Sequence, residues 1–387
     1  MSVVILDGVR TPFGKFLGSL ASYSTIDLGV TVVDELVRRV PDIKEADGVF
    51  FGIVIQANLG QNPARQIAHR AGIALKVPAL TLNNVCLAGI SATVEAARRI
   101  LLHEGELYIV GGADSMTNAP HATTARQEKK LGSITFSDTL NDGLWCAIHD
   151  QSMGVVSDEQ NERYNIPRAE QDAFAARSQQ LAERATQEGF LQGEIVTLKG
   201  NDGILDRDEG IRPGTREEKL ATLPPAFTEN GTITAGNASQ LSDGASGGIV
   251  TTEERAHRLG VEPLARIVDW AEIAGPDSGL HDKPAQAIQA VLSKQNLRVS
   301  DIDLFEINEA FAGVVLASMA RLDIPIDRVN VNGGAIAVGH PLGGTGFRLV
   351  LTLARELKRR GGGRGIATLC GGGGQGAALL IEVPPRW

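Results

Sequence analysis

Cysteine is scarce in this 387-residue chain, which has three: Cys86, Cys146 and Cys370. An odd count without paired spacing argues against a disulfide framework, and no CxxC pair offers a zinc site. The chain is expected in a reducing compartment, where a lone cysteine is either core filler or a nucleophile. Long hydrophobic runs are missing as well. None approaches the roughly 18 residues that a bilayer-spanning helix needs, so no membrane association is expected. The start, Met1-Ser2-Val3-Val4-Ile5-Leu6, has no basic region ahead of its strand-like run. Neither a signal nor a transit peptide fits it, and the closing Pro384-Pro385-Arg386-Trp387 is not a peroxisomal address, so a cytoplasmic location is expected. Excess positive charge is lacking too: the formal net charge of −9 argues against non-specific nucleic-acid binding.

What is present in excess is glycine, at 45 residues against a usual share of about 7%. The excess is clustered at Gly333-Gly334, Gly343-Gly344, Gly361 to Gly363 and Gly371 to Gly374. Such clusters mark places where the backbone approaches something closely or takes positive φ, which is the signature of a site rather than of a linker. The remaining composition is that of a globular protein long enough for two or three domains.

Two stretches read as versions of one α/β unit. In the first, a strand over Ala79-Leu80-Thr81-Leu82 runs into the turn Asn83-Asn84-Val85-Cys86, followed by a helix from about Ile90 to His103. Gly105 is expected to close that helix before a buried strand over 106–112. In the second, a strand over Val329-Asn330-Val331-Asn332 enters Gly333-Gly334. A helix from about Thr345 to Arg359 follows, stops at Gly361, and leads to a strand over 365–370. The repeated order suggests duplication. Between the two lies a polar, irregular stretch from about Asn118 to Leu241, with one clear helix over Arg168 to Glu188 closed by Gly189. It reads as an inserted, loop-rich subdomain, either contacting substrate or simply solvated.

Chemistry-bearing residues collect at the glycine-shaped turns. Cys86 precedes a helix, whose N-terminal N–H groups and partial positive charge are expected to lower a thiol pKa and to hold an oxyanion. Alone, a cysteine there is more often a small core residue. His340, between Gly339 and Pro341, has little to pack against and suits a general base. Cys370 ends a buried strand, at the edge where α/β sites form. Asn308, after the apolar run Ile302 to Phe305, is either a satisfied structural amide or an oxyanion donor.

Taken together and in order, these residues resemble the thiolase family over nearly the whole chain. Asp7-Gly8-Val9-Arg10-Thr11-Pro12-Phe13-Gly14-Lys15 resembles its opening segment and Asn83-Asn84-Val85-Cys86-Leu87-Ala88-Gly89 its nucleophile turn. Asn308-Glu309-Ala310-Phe311, Gly334 to Pro341 and Cys370 to Gly374 resemble its other three active-site blocks. The resemblance implies duplicated halves of an α/β/α/β/α fold with an inserted loop subdomain. Residues 1–117 with 242–262 would form the first half, 118–241 the insertion with CoA contacts, and 263–387 the second half. It implies reversible Claisen condensation of two acetyl-CoA, or the reverse thiolysis, by a ping-pong route. No cofactor is needed, because coenzyme A thioesters are the substrates, and a homodimer or homotetramer is implied.

The resemblance also implies individual roles. Cys86 would be the acylated nucleophile, activated by His340, and Cys370 the acid/base for the second acetyl-CoA and for leaving CoA. Asn308, through a water, and His340 would hold the enolate oxygen, while the N–H groups of Cys86 and Gly372 would hold the tetrahedral oxyanion. Two donor sets suit two charges that form at different places. Ser239 and Ala235, in Thr234-Ala235-Gly236-Asn237-Ala238-Ser239, would meet the pantetheine arm and Arg212 the nucleotide end. Met153, Phe227, Phe311 and Leu144 would line the pocket, with plain core packing the other reading of Phe227. Three departures stand out: Ala88 where serine is usual, Ser152 where short-chain members carry histidine, and Gly279-Leu280-His281-Asp282-Lys283-Pro284 in place of a glycine-proline turn. Cys146 matches no block and reads as structural. A degradative relative acting on longer 3-ketoacyl-CoAs is the main alternative. A decarboxylating ketoacyl synthase is disfavoured by Cys370, and a non-catalytic acyl-CoA binder by the complete set of chemical residues.

Overall fold

The architecture was described in a computed structural model, covering residues 2–124, 126 and 132–387; Met1 and part of the 118–241 insertion lie outside the described residues. Nine principal strands make up the main sheet. They are β1 (Val3–Arg10), β2 (Gly48–Gly52), β3 (Ala79–Leu82), β4 (Leu107–Ser115), β5 (Ser242–Thr252), β6 (Ala265–Ala274), β7 (Leu304–Ile307), β8 (Gly363–Gly371) and β9 (Gln375–Val383). Their order is β7-β8-β9-β6-β1-β5-β4-β2-β3, and a two-residue strand at Gly14–Lys15 pairs with the start of β5.

The duplication is written in the hydrogen-bond pattern. In the first half β1, β5 and β4 are antiparallel neighbours, and β2 and β3 then add in parallel. In the second half β6, β9 and β8 repeat the antiparallel run and β7 adds in parallel. The expected strand over 329–332, the counterpart of β3, is reduced to isolated bridges at Phe305–Val329 and Val331–Gly333. Asn330 explains the loss. Its side chain bonds both the N–H and the carbonyl of Ile307 and reaches Glu309, so side-chain bonds replace the ladder. The halves join where Val3, Val4 and Ile5 of β1 pair with Ile267, Arg266 and Ala265 of β6.

Two buried helices, α3 (Ala88–Leu101) and α8 (Leu342–Arg359), share one apolar core with strands of both halves. On the outside α1 (Thr25–Arg39) and α2 (Pro63–Arg70) cover the first half, and α6 (Lys283–Gln295) and α7 (Ala312–Leu322) cover the second. The layering is α/β/α/β/α. From the insertion come α4 (Met153–Arg163) and α5 (Arg168–Gln187).

Local chemistry accounts for these elements. Helix α1 opens on a capping box, Ser24 with Asp27, and buries Leu28, Val32, Val33 and Leu36 at helical spacing. Helix α8 carries Gly343, Gly344 and Gly346 in its first turns despite their poor helix propensity, because the central helices cross in near contact. A Cβ on Gly346 would lie 2.5 Å from the Ile90 nitrogen, and one on Gly112 would lie 1.9 Å from the Gly343 carbonyl oxygen. The boundaries differ from expectation accordingly: α3 starts at Ala88 rather than Ile90, and α8 at Leu342 rather than Thr345. His103, at φ 59°, makes the left-handed exit from α3, while Gly105 is glycine because a Cβ would meet Tyr108 and Asp47.

Candidate active site

Both parallel layers end in turns that converge on one cavity of about 560 Å³, lined by Cys86, His340, Cys370 and Gly372 among others. Cys86 lies four residues beyond β3 and two before α3. Val85, just ahead of it, takes φ 49°, a conformation that a β-branched residue adopts only when its surroundings impose it. Those surroundings are visible. Asn83 Oδ1 accepts from the Val85 N–H at 3.1 Å, and Asn84 donates to Ser91 Oγ at 3.0 Å and accepts from Gln375 Nε2 at 3.3 Å. The last bond ties the Cys86 turn to the turn after Cys370. The two turns also touch directly, since a Cβ on Gly372 would stand 3.2 Å from Val85 Cγ1.

The second half brings the other three groups. Cys370 is the penultimate residue of β8, and Asn308 follows β7 with its N–H on the Thr368 carbonyl at 3.0 Å. Both lie at the C-terminal ends of neighbouring parallel strands, the edge at which α/β sites form. His340 is carried past Gly339, whose φ of 107° and closeness to Ser242 Oγ (2.3 Å from a Cβ) exclude any side chain. Its Nδ1 lies 2.6 Å from Thr345 Oγ1, and that hydroxyl donates to the Pro341 carbonyl at 2.8 Å. A hydroxyl has one proton to give, so Thr345 accepts from His340, and Nδ1 carries the imidazole hydrogen. The lone pair is then on Nε2, with the Asn308 amide nitrogen facing it at 3.4 Å. Asn308 is fully buried and its Oδ1 has no protein partner.

Burial dominates the electrostatics. It lowers the His340 pKa to about 3, helped by the nearby Arg348, so the imidazole is neutral at any working pH. Burial also pushes the Cys86 thiol up to about 12, and Asp114 pushes the same way. The N–H groups of Cys86 itself and Gly372 pull it down but lose. Here the structure corrects the expectation of a thiol lowered by the helix N-terminus. The sulfur sits in an apolar enclosure, and desolvation outweighs the two N–H dipoles. Cys370 is raised as well, by burial and then by the neighbouring Cys86, with Lys283 opposing. At rest burial therefore favours the protonated thiols of Cys86 and Cys370 and a neutral His340 imidazole. The same two N–H groups aimed at Cys86 are placed to receive an oxyanion formed on that sulfur.

Of the residues expected to contact substrate, Leu144, Met153, Ser239 and Phe311 line the cavity. Phe227, Ala235 and Arg212 are not among its lining residues. Phe227 is 42% exposed and packs edge-on against Phe311, with ring centroids 6.1 Å apart, because Gly154 leaves room for its ring. Arg212 and Ala235 are exposed and joined to each other by a 3.5 Å hydrogen bond. Four further positions matter that sequence reasoning assigned no part. Leu280 and Cys146 line the cavity, and Thr345 sets the His340 tautomer. Asp114, raised to about 7 by burial, accepts from Ile55 and Gly343 and so ties a cavity-wall loop to the start of α8. Cys146 is buried beside Ser278 at 4.0 Å. Leu280 falls in the one segment that departs from the usual turn, which is the signal that could have found it.

The profile of the thiolase N-terminal domain matches residues 3–254, and that of the thiolase C-terminal domain matches 261–383. A probable acetyl-CoA acetyltransferase of Mycobacterium leprae is 45% identical over 389 residues, covering 98% of both chains. The acetyl-CoA acetyltransferase of Paracoccus denitrificans is 41% identical over 387 residues, covering 98% of this chain and 99% of that one. Among solved structures, human mitochondrial 3-ketoacyl-CoA thiolase in complex with CoA superposes with a TM-score of 0.95 at 37% identity, covering 98% of each chain. The Bacillus anthracis acetyl-CoA acetyltransferase superposes with a TM-score of 0.94 at 40% identity and the same coverage.

Proposed function

The chain belongs to the thiolase family, and on that premise we propose that it is an acetyl-CoA acetyltransferase, joining two acetyl-CoA into acetoacetyl-CoA and CoA or running the reverse thiolysis. The observation that carries this reading is that the Cys86 and Cys370 thiols and the neutral His340 imidazole open on a single, mostly apolar cavity. The Cys86 sulfur attacks the acetyl carbonyl while His340 Nε2 takes its proton. The oxyanion is held by the N–H groups of Cys86 and Gly372. When the carbon–sulfur bond to CoA breaks, Cys370 gives its proton to the departing sulfur. The Cys370 thiolate then removes an α-proton from the second acetyl-CoA, and protonated His340 and Asn308, acting through a water, hold the enolate oxygen. The enolate carbon attacks acetyl-Cys86, the thioester bond breaks, and His340 returns its proton to Cys86. Every proton is restored at the end of the cycle.

Ser239 is assigned to the pantetheine arm, and Ala235, Arg212 and Phe227, outside the cavity, to the outer CoA end. Coenzyme A thioesters supply all the reacting groups, so no cofactor enters the scheme. The family supports a dimer or tetramer, and the cysteine usage supports a reducing, cytoplasmic setting. Among the described residues no helix is long and apolar enough to cross a membrane. The test is steady-state thiolysis of acetoacetyl-CoA against 3-ketooctanoyl-CoA. Each methylene in a hydrophobic pocket is worth about 1–3 kcal/mol of discrimination, so a short-chain enzyme should lose at least about tenfold in kcat/KM between the two. Equal rates would assign the chain to longer 3-ketoacyl-CoAs instead.

A further inference from the structure

The segment from Gly275 to Pro284 sits directly on the turn that follows Cys370. Gly275 donates to the Gly374 carbonyl at 2.9 Å, and a Cβ on Gly374 would lie 2.1 Å from the Asp277 carbonyl oxygen. A Cβ on Gly376 would lie 2.6 Å from that of Lys283. Inside the segment is a charge cluster built around one buried lysine. Lys283 is fully buried, with its Nζ 3.1 Å from Asp277 and 3.2 Å from Asp282. Each carboxylate has a second cation, Asp277 taking Arg163 of α4 and Asp282 taking Arg321 of α7. His281 is buried between the same two helices: its Nε2 lies 2.6 Å from Asn161 Oδ1, and its carbonyl accepts from Ser318 Oγ at 2.9 Å. A buried ammonium gains little stability over an apolar residue of similar size, so its value lies in fixing geometry.

What that geometry fixes is one side chain. Leu280 is the residue of this segment that lines the cavity, and it packs in a small apolar cluster with Met153, Ala310, Phe311 and Cys370. Of the walls near Cys370, Met153 is flexible and yields to a larger ligand. Leu280 is held on both flanks, by Asp277 before it and by His281, Asp282 and Lys283 after it. We propose that Leu280 is a specificity-determining residue, a rigid stop that limits the length of the acyl chain beside Cys370, and that Lys283 is the positioning residue that keeps it rigid. This inference rests on the thiolysis of 3-ketoacyl-CoA proposed above.

The experiment measures kcat/KM for acetoacetyl-CoA and 3-ketooctanoyl-CoA on wild type, Leu280→Ala, Leu280→Met and Lys283→Met. Lys283→Met leaves Asp277 with Arg163 and Asp282 with Arg321, so no carboxylate is stranded. The ratio of the long to the short substrate should rise about tenfold or more in Leu280→Ala, the value of a few missing carbons in an apolar pocket. It should also rise, by less, in Leu280→Met, whose flexible side chain yields where leucine does not, and rise in Lys283→Met. An unchanged ratio in Leu280→Ala overturns the stop, and an unchanged ratio in Lys283→Met alone overturns the positioning role. A wild type active on neither substrate overturns the functional reading itself, which separates the two failures.

Discussion

Replacing Thr345 with valine removes one hydroxyl and nearly nothing else, because the two side chains share their shape. In the wild type Thr345 accepts the His340 Nδ1 hydrogen at 2.6 Å and passes its own proton to Pro341. Both residues are buried, so the valine variant leaves Nδ1–H unpaired where water cannot replace the bond. Stranding a buried donor costs about 1–3 kcal/mol. The imidazole can avoid that cost by moving its hydrogen to Nε2, but Nε2 is the atom that must take the Cys86 proton. With the hydrogen on Nε2 the base is lost, and with it on Nδ1 the imidazolium that forms is left unpaired, so the acetylation rate of Cys86 should fall by about 5- to 160-fold at 1.36 kcal/mol per decade. Thr345→Ser restores the acceptor and should recover most of the loss. The assay is single-turnover acetylation by acetyl-CoA, followed by mass spectrometry of the intact protein. A valine variant acetylated at the wild-type rate would refute the tautomer assignment and the role of Nε2 as base.

Cys370→Ala should separate the half-reactions: Cys86 still accepts an acetyl group slowly, while condensation falls by about 10²–10⁴-fold, the usual contribution of a placed acid/base. Near-wild-type rates in both halves, followed by CoA release and acetoacetyl-CoA formation, would reduce Cys370 to a strand-end residue. The pH dependence of stability carries a signature of His281, whose pKa burial lowers from 6.5 to about 3. Between those values the unfolded chain binds a proton that the folded chain does not, so this contribution is complete above 6.5 and is lost as pH falls toward 3. Asp114 and Glu306, raised by burial to about 7 and about 8, act in the opposite sense, so the informative quantity is the difference between variant and wild type. His281→Gln should lose about 1.4 kcal/mol less stability per pH unit than wild type in the acid range, read from denaturant midpoints near pH 5 and near pH 6. Equal slopes would contradict a buried, neutral His281.

The catalytic groups were legible because each sits at a turn that only certain residues can make. Gly339 and the run Gly371 to Gly374 hold backbone where a Cβ would collide or φ is positive, and such constraints show directly as glycine. The duplication was legible for another reason: the order of strand, turn, helix, glycine stop and strand occurs twice along the chain. Properties that depend on enclosure were not legible. Whether a thiol before a helix is lowered by N–H dipoles or raised by desolvation depends on what covers it, and for Cys86 the cover comes from residues as distant in sequence as Leu140 and Leu342. Leu280 gains its meaning from Asp277, Lys283, Asn161 and Ser318, a set with no spacing to read. Asn330 ended an expected strand through side-chain bonds that strand propensity does not register.

The central claim is that Cys86, and not Cys370 or Cys146, carries the acyl group. Incubation with acetyl-CoA alone, followed by proteolysis and mass spectrometry, should find a single acetyl group on the peptide containing Cys86. Acetylation confined to the Cys370 or Cys146 peptide would contradict it.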